Sequence, residues 1–159
     1  MKKLAIIVML LVAAPAFAGD AIMGTSTSVS KDRTWATGAN SGYYIYDSEG
    51  TIAWEAGPFE DAPIECHGAG FWTPAEIVGE GICIFGAEPD RWTVAHEMPA
   101  GSNLWADKQS NTSHRQGVWR VVHGTGRFDG MTGSGTFVSR RLEDGGSTTE
   151  IEGQTELPK

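Results

Sequence analysis

The sequence predicts an all-β protein, built as a sandwich or a barrel of short strands. The chain has 159 residues and 21 glycines, and because every glycine follows residue 18, their share there is roughly twice the usual one. Glycine is a poor helix residue but serves turns and bulges well. No stretch of about 12 residues beyond residue 18 shows apolar positions at helical spacing. Short β-rich segments alternate instead with turn clusters, which is typical of an all-β fold.

The first 18 residues have the pattern of a secretory signal peptide. Lys2 and Lys3 precede an apolar run over residues 4–14, and Ala16-Phe17-Ala18 is a small-x-small cleavage site. The run is shorter than the about 20 residues that a membrane span needs, so we expect no membrane insertion after cleavage. Cleavage would leave one domain, residues 19–159, in the periplasm or outside the cell.

Charge narrows the classes of partner. The formal net charge is −8 at pH 7, and it becomes −10 (−8 − 2) without Lys2 and Lys3. Nucleic-acid binding needs clustered cationic side chains, so we expect no nucleic-acid partner. An anionic membrane surface is disfavoured for the same reason. With 40% hydrophobic residues, the chain has enough apolar side chains to form a core.

The N-terminal half is predicted to contain the first five strands. A Thr/Ser-rich first strand over 21–29 is expected at a sheet edge. Segments 42–47 and 51–56 flank Ser48-Glu49-Gly50, which is predicted as a hairpin loop. Two prolines in 57–63 indicate a second loop. The next two predicted strands are 64–72 and 78–85, joined by a turn at 73–76.

The C-terminal half is predicted to complete a set of eight or nine strands of ordinary length. A turn at 87–90 leads into strand 91–96, and the polar segment 99–113 is predicted as a mobile loop. The last three predicted strands are 117–123, 135–141 and 148–155, and Asp144-Gly145-Gly146 joins the last two. No linker or second domain is evident.

The two cysteines are expected to form a disulfide, Cys66–Cys83. If Pro74-Ala75 is the hairpin tip, facing residue numbers sum to 149, which places Cys66 opposite Cys83. Directly opposed Cβ atoms lie close enough to bridge, and exported proteins oxidise their thiols. Two reduced structural thiols remain the alternative. Cys66 and His67 are not expected to form a catalytic dyad, because neighbouring residues in a strand point to opposite faces of the sheet.

The most specific stretch is GTGRFDGMTGSGTF, residues 124–137. Its glycines do not fit the nucleotide-binding motif G-x-G-x-x-G, since Gly130 comes one residue later than the third glycine of that motif and no helix is predicted to follow. A strand end, a tight corner and the start of another strand fit it better.

With the residues just before it, Trp119–Phe137 resembles the G-T-G-x-[FY]-x-G-x-x-G-x-G-x-[FY] segment of the allene oxide cyclase and dirigent-like barrel superfamily, in particular its small exported bacterial members. The resemblance implies an eight-stranded antiparallel β-barrel. Plant members handle small apolar or phenolic molecules in the barrel, and some oligomerise, so a small apolar ligand and a homo-oligomer are possible partners. The plant enzymes' active-site residues have no one-to-one counterparts here, and their activity is not carried over.

A repeated W-x-V-x-H pattern supplies candidate ligand-binding residues. Period two places its tryptophan, valine and histidine on one strand face. If that face is inward, it would suit a cavity with a polar mouth. The alternatives are a packed core for the tryptophans and a solvated rim for the histidines. The candidates are Trp92, Val94, His96, Trp119, Val121 and His123.

His67, with Glu65 on its own strand face, could join these histidines in a metal or acid–base cluster. No local ligand spacing supports this, so we expect no metal and no cofactor. Three hypotheses therefore remain: a binding barrel for a small hydrophobic or phenolic molecule, a solid structural or partner-binding barrel, and a cyclase- or isomerase-like enzyme. A cavity of about 300 Å³ or more would favour the first or third. An inward, desolvated His or Glu with a shifted pKa would favour the third over the first.

Overall fold

The computed structural model describes residues 19–101 and 114–159 and shows a closed eight-stranded antiparallel β-barrel. Each strand pairs with its neighbours in the chain, and β1 pairs with β8 to close the barrel. The strands are β1 (Asp20–Gly38), β2 (Ser41–Ala56), β3 (Ala62–Trp72), β4 (Ile77–Ala87), β5 (Asp90–Met98), β6 (His114–Gly124), β7 (Thr132–Arg141) and β8 (Gly146–Glu156). This confirms the all-β prediction and the eight-stranded barrel that the resemblance implies. The predicted signal peptide, residues 1–18, and most of the predicted loop 99–113 lie outside the described residues.

The predicted loop at Ser48-Glu49-Gly50 is wrong, because these residues lie inside the single long strand β2. Gly50 pairs with Ser28 on one side and with Ile64 on the other. A Cβ at Gly50 would collide with the carbonyl oxygen of Thr27, so glycine here permits close strand approach and does not make a turn. Pairing on both sides overrides the local turn propensity.

The first strand is longer than predicted and its assignment to an edge is wrong. Residues 20–29 pair with β8, and residues 23–29 pair with β2 as well. Beyond Val29, β1 continues to Gly38 with β2 as its only partner in the described part of the chain. The turn that ends this extension lies at Ala39-Asn40. The residues that pair with this extension lie in β2. The sequence of the extension itself therefore gives no local signal that β1 continues beyond Val29.

The β3–β4 hairpin has the predicted register. Gly70 faces Gly79, Gly68 faces Gly81, and Cys66 faces Cys83. The two cysteines form a disulfide with a Cα–Cα distance of 4.1 Å. The covalent bond therefore joins two strands that the sheet already pairs, and its sulfurs point into the barrel.

One end of the barrel, here called the closed end, is filled with aromatic and aliphatic side chains. The Phe85 and Trp92 rings stack with centroids 4.3 Å apart, and Phe59 stacks on Trp92 at 5.1 Å. Ile52 in β2 is fully buried beneath them. The other buried members of this cluster are Ile22, Ile64, Val94, Trp119, Phe128, Met131 and Ile151.

The glycine-rich segment 124–137 forms the corner between β6 and β7 at the closed end. It contains a 3-10 turn, Gly126–Phe128, that brings Phe128 into the core. Thr125 donates its hydroxyl to the carbonyl oxygen of Pro89 at 2.8 Å, and the Asp90 carboxylate accepts from the Arg127 amide at 2.9 Å. The corner is thus tied to the β4–β5 turn.

Removing the disulfide should lower stability without changing the fold. We expect the double variant Cys66→Ala/Cys83→Ala to lose about 2–4 kcal/mol of unfolding free energy, because the cross-link restricts the unfolded chain. Denaturant unfolding followed by far-UV circular dichroism measures this loss. Equal stability of the variant and the wild-type protein would contradict the prediction, and two free thiols per denatured, unreduced wild-type chain would contradict the bridge itself.

Candidate functional site

The opposite end of the barrel holds a cavity of about 120 Å³ that opens to solvent. All eight strands contribute to its lining. Its apolar wall comes from β3 to β7 and contains Ile64, Cys66, Cys83, Phe85, Trp92, Val94, Met98, Trp119 and Phe137. Its hydroxyl wall comes from β7, β8, β1 and β2 and contains Ser26, Ser28, Ser30, Ser48, Ser139, Ser147 and Thr149. The cavity therefore presents an apolar side facing a hydrogen-bonding side.

The cavity has room for one ring. A cavity of about 150 Å³ holds a benzene molecule, whereas drug-sized ligands occupy about 300 Å³ or more. The value of about 120 Å³ therefore falls short of the about 300 Å³ that would favour the binding and the enzyme hypotheses alike, although the barrel is not completely filled either.

The first W-x-V-x-H repeat points into the barrel. Trp92 and Val94 are buried, and both line the cavity with His96. These three residues follow the strand alternation that the sequence predicts.

The second repeat is divided by a bulge. Trp119 is buried against the cavity, and Val121 packs against the core. Val94 pairs with Val121 but Thr93 pairs with His123, so β6 has one extra residue, Val122, at this point. Val122 and His123 are consequently both exposed, and His123 lies on the outer face, away from the cavity. The sequence pattern alone could not reveal this change of face.

The indole of Trp119 packs against two glycines, Gly135 in β7 and Gly153 in β8. Its indole N–H lies 3.1 Å from the carbonyl oxygen of Thr136 and 3.2 Å from that of Glu152. A Cβ at Gly135 would lie 2.8 Å from the indole Cε2, and one at Gly153 would lie 2.5 Å from Cζ2. Glycine at both positions is therefore what lets the indole lie against the sheet as part of the apolar wall.

A tyrosine that the sequence analysis did not select forms the polar centre of the site. The Tyr46 hydroxyl lies 2.7 Å from Nε2 of His96, and both residues line the cavity. Burial lowers the pKa of His96 from 6.5 to about 4, and burial is also the largest cause of the raised pKa of Tyr46. Both groups are therefore neutral near pH 7. Among the residues that the structure describes, the buried Nδ1 of His96 has no hydrogen-bond partner.

Glycines in the β3–β4 hairpin make room for these side chains. A Cβ at Gly68 would lie 2.5 Å from Cε1 of Tyr46, and a Cβ at Gly81 would lie 2.7 Å from Nε2 of His96. The glycine pairs that position the disulfide thus also let the Tyr46–His96 pair lie against the sheet. The sequence offered a signal here, since glycines facing each other in a hairpin leave space that other side chains fill.

Charged side chains surround the opening. Arg141 donates to the Asp32 carboxylate at 3.1 Å. The Arg115 guanidinium lies 5.8 Å from the centre of the Tyr44 ring, and its buried Nε has no hydrogen-bond partner within residues 19–101 and 114–159. These are the charged residues among those that line the cavity, and together they carry one excess positive charge.

His67 does not join this site. It lies on the outer face, where its Nδ1 contacts Asp47 at 2.7 Å and its Nε2 contacts Glu65 at 3.0 Å. The hydrogen bond to Asp47 is the largest cause of the raised pKa of His67; burial opposes it, and the hydrogen bond to Glu65 adds to it. Across residues 19–101 and 114–159, no three His, Cys, Asp or Glu side chains are placed to hold a metal ion.

Neither a known protein-family model nor a curated protein sequence matches this chain. No helix within the described ranges is long and apolar enough to cross a membrane.

Because His96 is neutral in the folded protein, the unfolding free energy should depend on pH. Below about pH 6.5 the unfolded chain protonates this imidazole, whereas the folded chain does so only near pH 4. His96 should therefore lower the unfolding free energy, by up to roughly 3 kcal/mol, as pH falls from 6.5 to 4. We expect His96→Gln to remove this loss, measured by denaturant unfolding at several pH values.

His67→Gln is the control for that experiment. The raised pKa of His67 stabilises the fold below pH 6.5 and loses this effect as pH rises through the folded-state pKa, so its removal should change the pH slope in the opposite sense. A His96→Gln profile parallel to that of the wild-type protein would contradict the assigned neutral imidazole.

Proposed function

We propose that this protein binds a small one-ring molecule, hydrophobic or phenolic, in the open half of the barrel. The observation that carries the proposal is the cavity itself, in which an apolar wall faces a wall of hydroxyl groups. Ligand sites are concave and mostly apolar, with a few placed polar groups, and this site has that composition.

Size and polarity support a single ring. The cavity volume of about 120 Å³ is close to the volume that one aromatic ring fills. Phe85, Trp92 and Trp119 supply aromatic faces on the apolar side. The unpartnered Nδ1 of His96 supplies a hydrogen-bonding atom for a ring hydroxyl, because a buried polar atom gains most when a ligand satisfies it.

The other hypotheses fit the same features less well. A solid structural barrel accounts for the closed end but not for the space between the two walls. A cyclase- or isomerase-like enzyme would use an inward histidine such as His96. However, an imidazole with a pKa of about 4 is a weak base near pH 7, where general-base catalysis favours a pKa close to the working pH. Binding without chemistry is therefore the function we propose.

We also propose that the chain is an exported member of the allene oxide cyclase and dirigent-like superfamily. The eight-stranded barrel supports this relation, as does the position of segment 124–137 at a corner between strands. The Cys66–Cys83 disulfide supports an oxidising compartment, because cytosolic thiols are kept reduced.

Filling the cavity should abolish binding of a one-ring probe. Ser28 lies on the hydroxyl wall, so Ser28→Phe would place a ring in the space that the ligand occupies, whereas Thr27→Phe places the same ring on the outer face of β1. We expect titration with phenol to shift the indole N–H signals of Trp92 and Trp119 in the wild-type protein and in Thr27→Phe, but not in Ser28→Phe. Equal shifts in all three proteins would contradict binding in the barrel.

Export should remove the first 18 residues. We expect protein from the periplasm or the medium to have an intact mass that corresponds to a start at Gly19. A mass that includes Met1 would contradict the proposed signal peptide.

A further inference from the structure

We propose that the ligand is an aromatic monocarboxylate, with its ring between the two walls and its carboxylate on Arg115 at the opening. This inference rests on the proposed function, which it narrows from a one-ring molecule to an anionic one. It is carried by the charge of the lining, by the position of the Arg115 side chain and by the hydroxyl beside it.

The lining carries one positive charge that no ion pair within the described ranges neutralises. Asp32 is engaged by Arg141 at 3.1 Å, which leaves Arg115 without an ion-pair partner among the described residues. The whole chain has a formal net charge of −8, so a cationic lining is opposite in sign to the rest of the molecule. A monoanion would neutralise the excess charge of the site.

Arg115 is placed to meet a ligand. It shares the inward face of β6 with Trp119, and Gly117 between them carries no side chain that would separate the two. The Tyr44 ring lies 5.8 Å below its guanidinium, which favours a fixed orientation of the planar group. Its buried Nε has no hydrogen-bond partner in the described part of the chain, and a planar guanidinium binds a carboxylate through two parallel hydrogen bonds.

A neighbouring hydroxyl extends the same anion site. Ser139 pairs directly with Arg115 across β6 and β7. Its oxygen accepts a hydrogen bond from the Thr149 hydroxyl at 3.0 Å, so its own O–H proton is directed elsewhere and can be donated to a carboxylate. The cavity is open on this side, which places the carboxylate at the solvent end and the ring against the apolar wall.

The test compares benzoate with benzyl alcohol, a neutral molecule of similar shape. NMR titration of the wild-type protein at low ionic strength should give a dissociation constant at least about tenfold lower for benzoate, because charge-assisted hydrogen bonds add to the shared burial of the ring. Arg115→Gln should remove this preference, because it should weaken the binding of benzoate at least about tenfold more than the binding of benzyl alcohol. Arg120→Gln, an exposed position on the outer face of the same strand, should keep the preference.

The outcomes separate the two proposals. Benzyl alcohol binding as tightly as benzoate to the wild-type protein would overturn this inference and leave the proposed function in place. Binding of neither probe would overturn the proposed function. If Arg115→Gln binds neither probe, Arg115→Lys decides, since it keeps the charge: a preference for benzoate in that variant supports the inference, and equal affinities overturn it.

Discussion

Closure of the barrel by the pairing of β1 with β8 is the constraint on which the rest of the structure depends. Residues 20–29 of β1 pair with β8 on one side while most of them also pair with β2 on the other. Closure gives every strand an inner and an outer face, and an eight-stranded interior is just wide enough to be filled or to hold one small molecule. This protein does both, because aromatic residues fill the closed end and hydroxyl-bearing residues leave space at the other.

The cavity exists because glycines on some strands leave room for large side chains on neighbouring strands. Glycines in β3 and β4 give up volume that Tyr46 and His96 occupy, and Gly135 and Gly153 do the same for Trp119. These three side chains thereby lie against the wall of the barrel. The polar atoms of the site are consequently buried but not all satisfied, as Nδ1 of His96 and Nε of Arg115 illustrate.

Local features of the sequence predicted what depends on local geometry. The Cys66–Cys83 register followed from one turn and a period of two, and the inward face of β5 followed from the spacing of Trp92, Val94 and His96. Long-range pairing determined the rest. The bulge beside His123 depends on β5, the strand conformation of Ser48-Glu49-Gly50 depends on β1 and β3, and Tyr46 reaches His96 across 50 residues of sequence.

The length of β1 has a consequence for colloidal behaviour. A closed barrel has no free strand edge, but the extension of β1 beyond Val29 pairs with β2 alone in the described part of the chain and so offers unpaired backbone groups to other molecules. Lys31, Asp32 and Arg33 stand at the start of this extension, and residues 31–40 are all exposed. Consecutive charges on an open edge oppose its hydrogen bonding to a second chain. The extension thus carries its own protection against edge-to-edge aggregation.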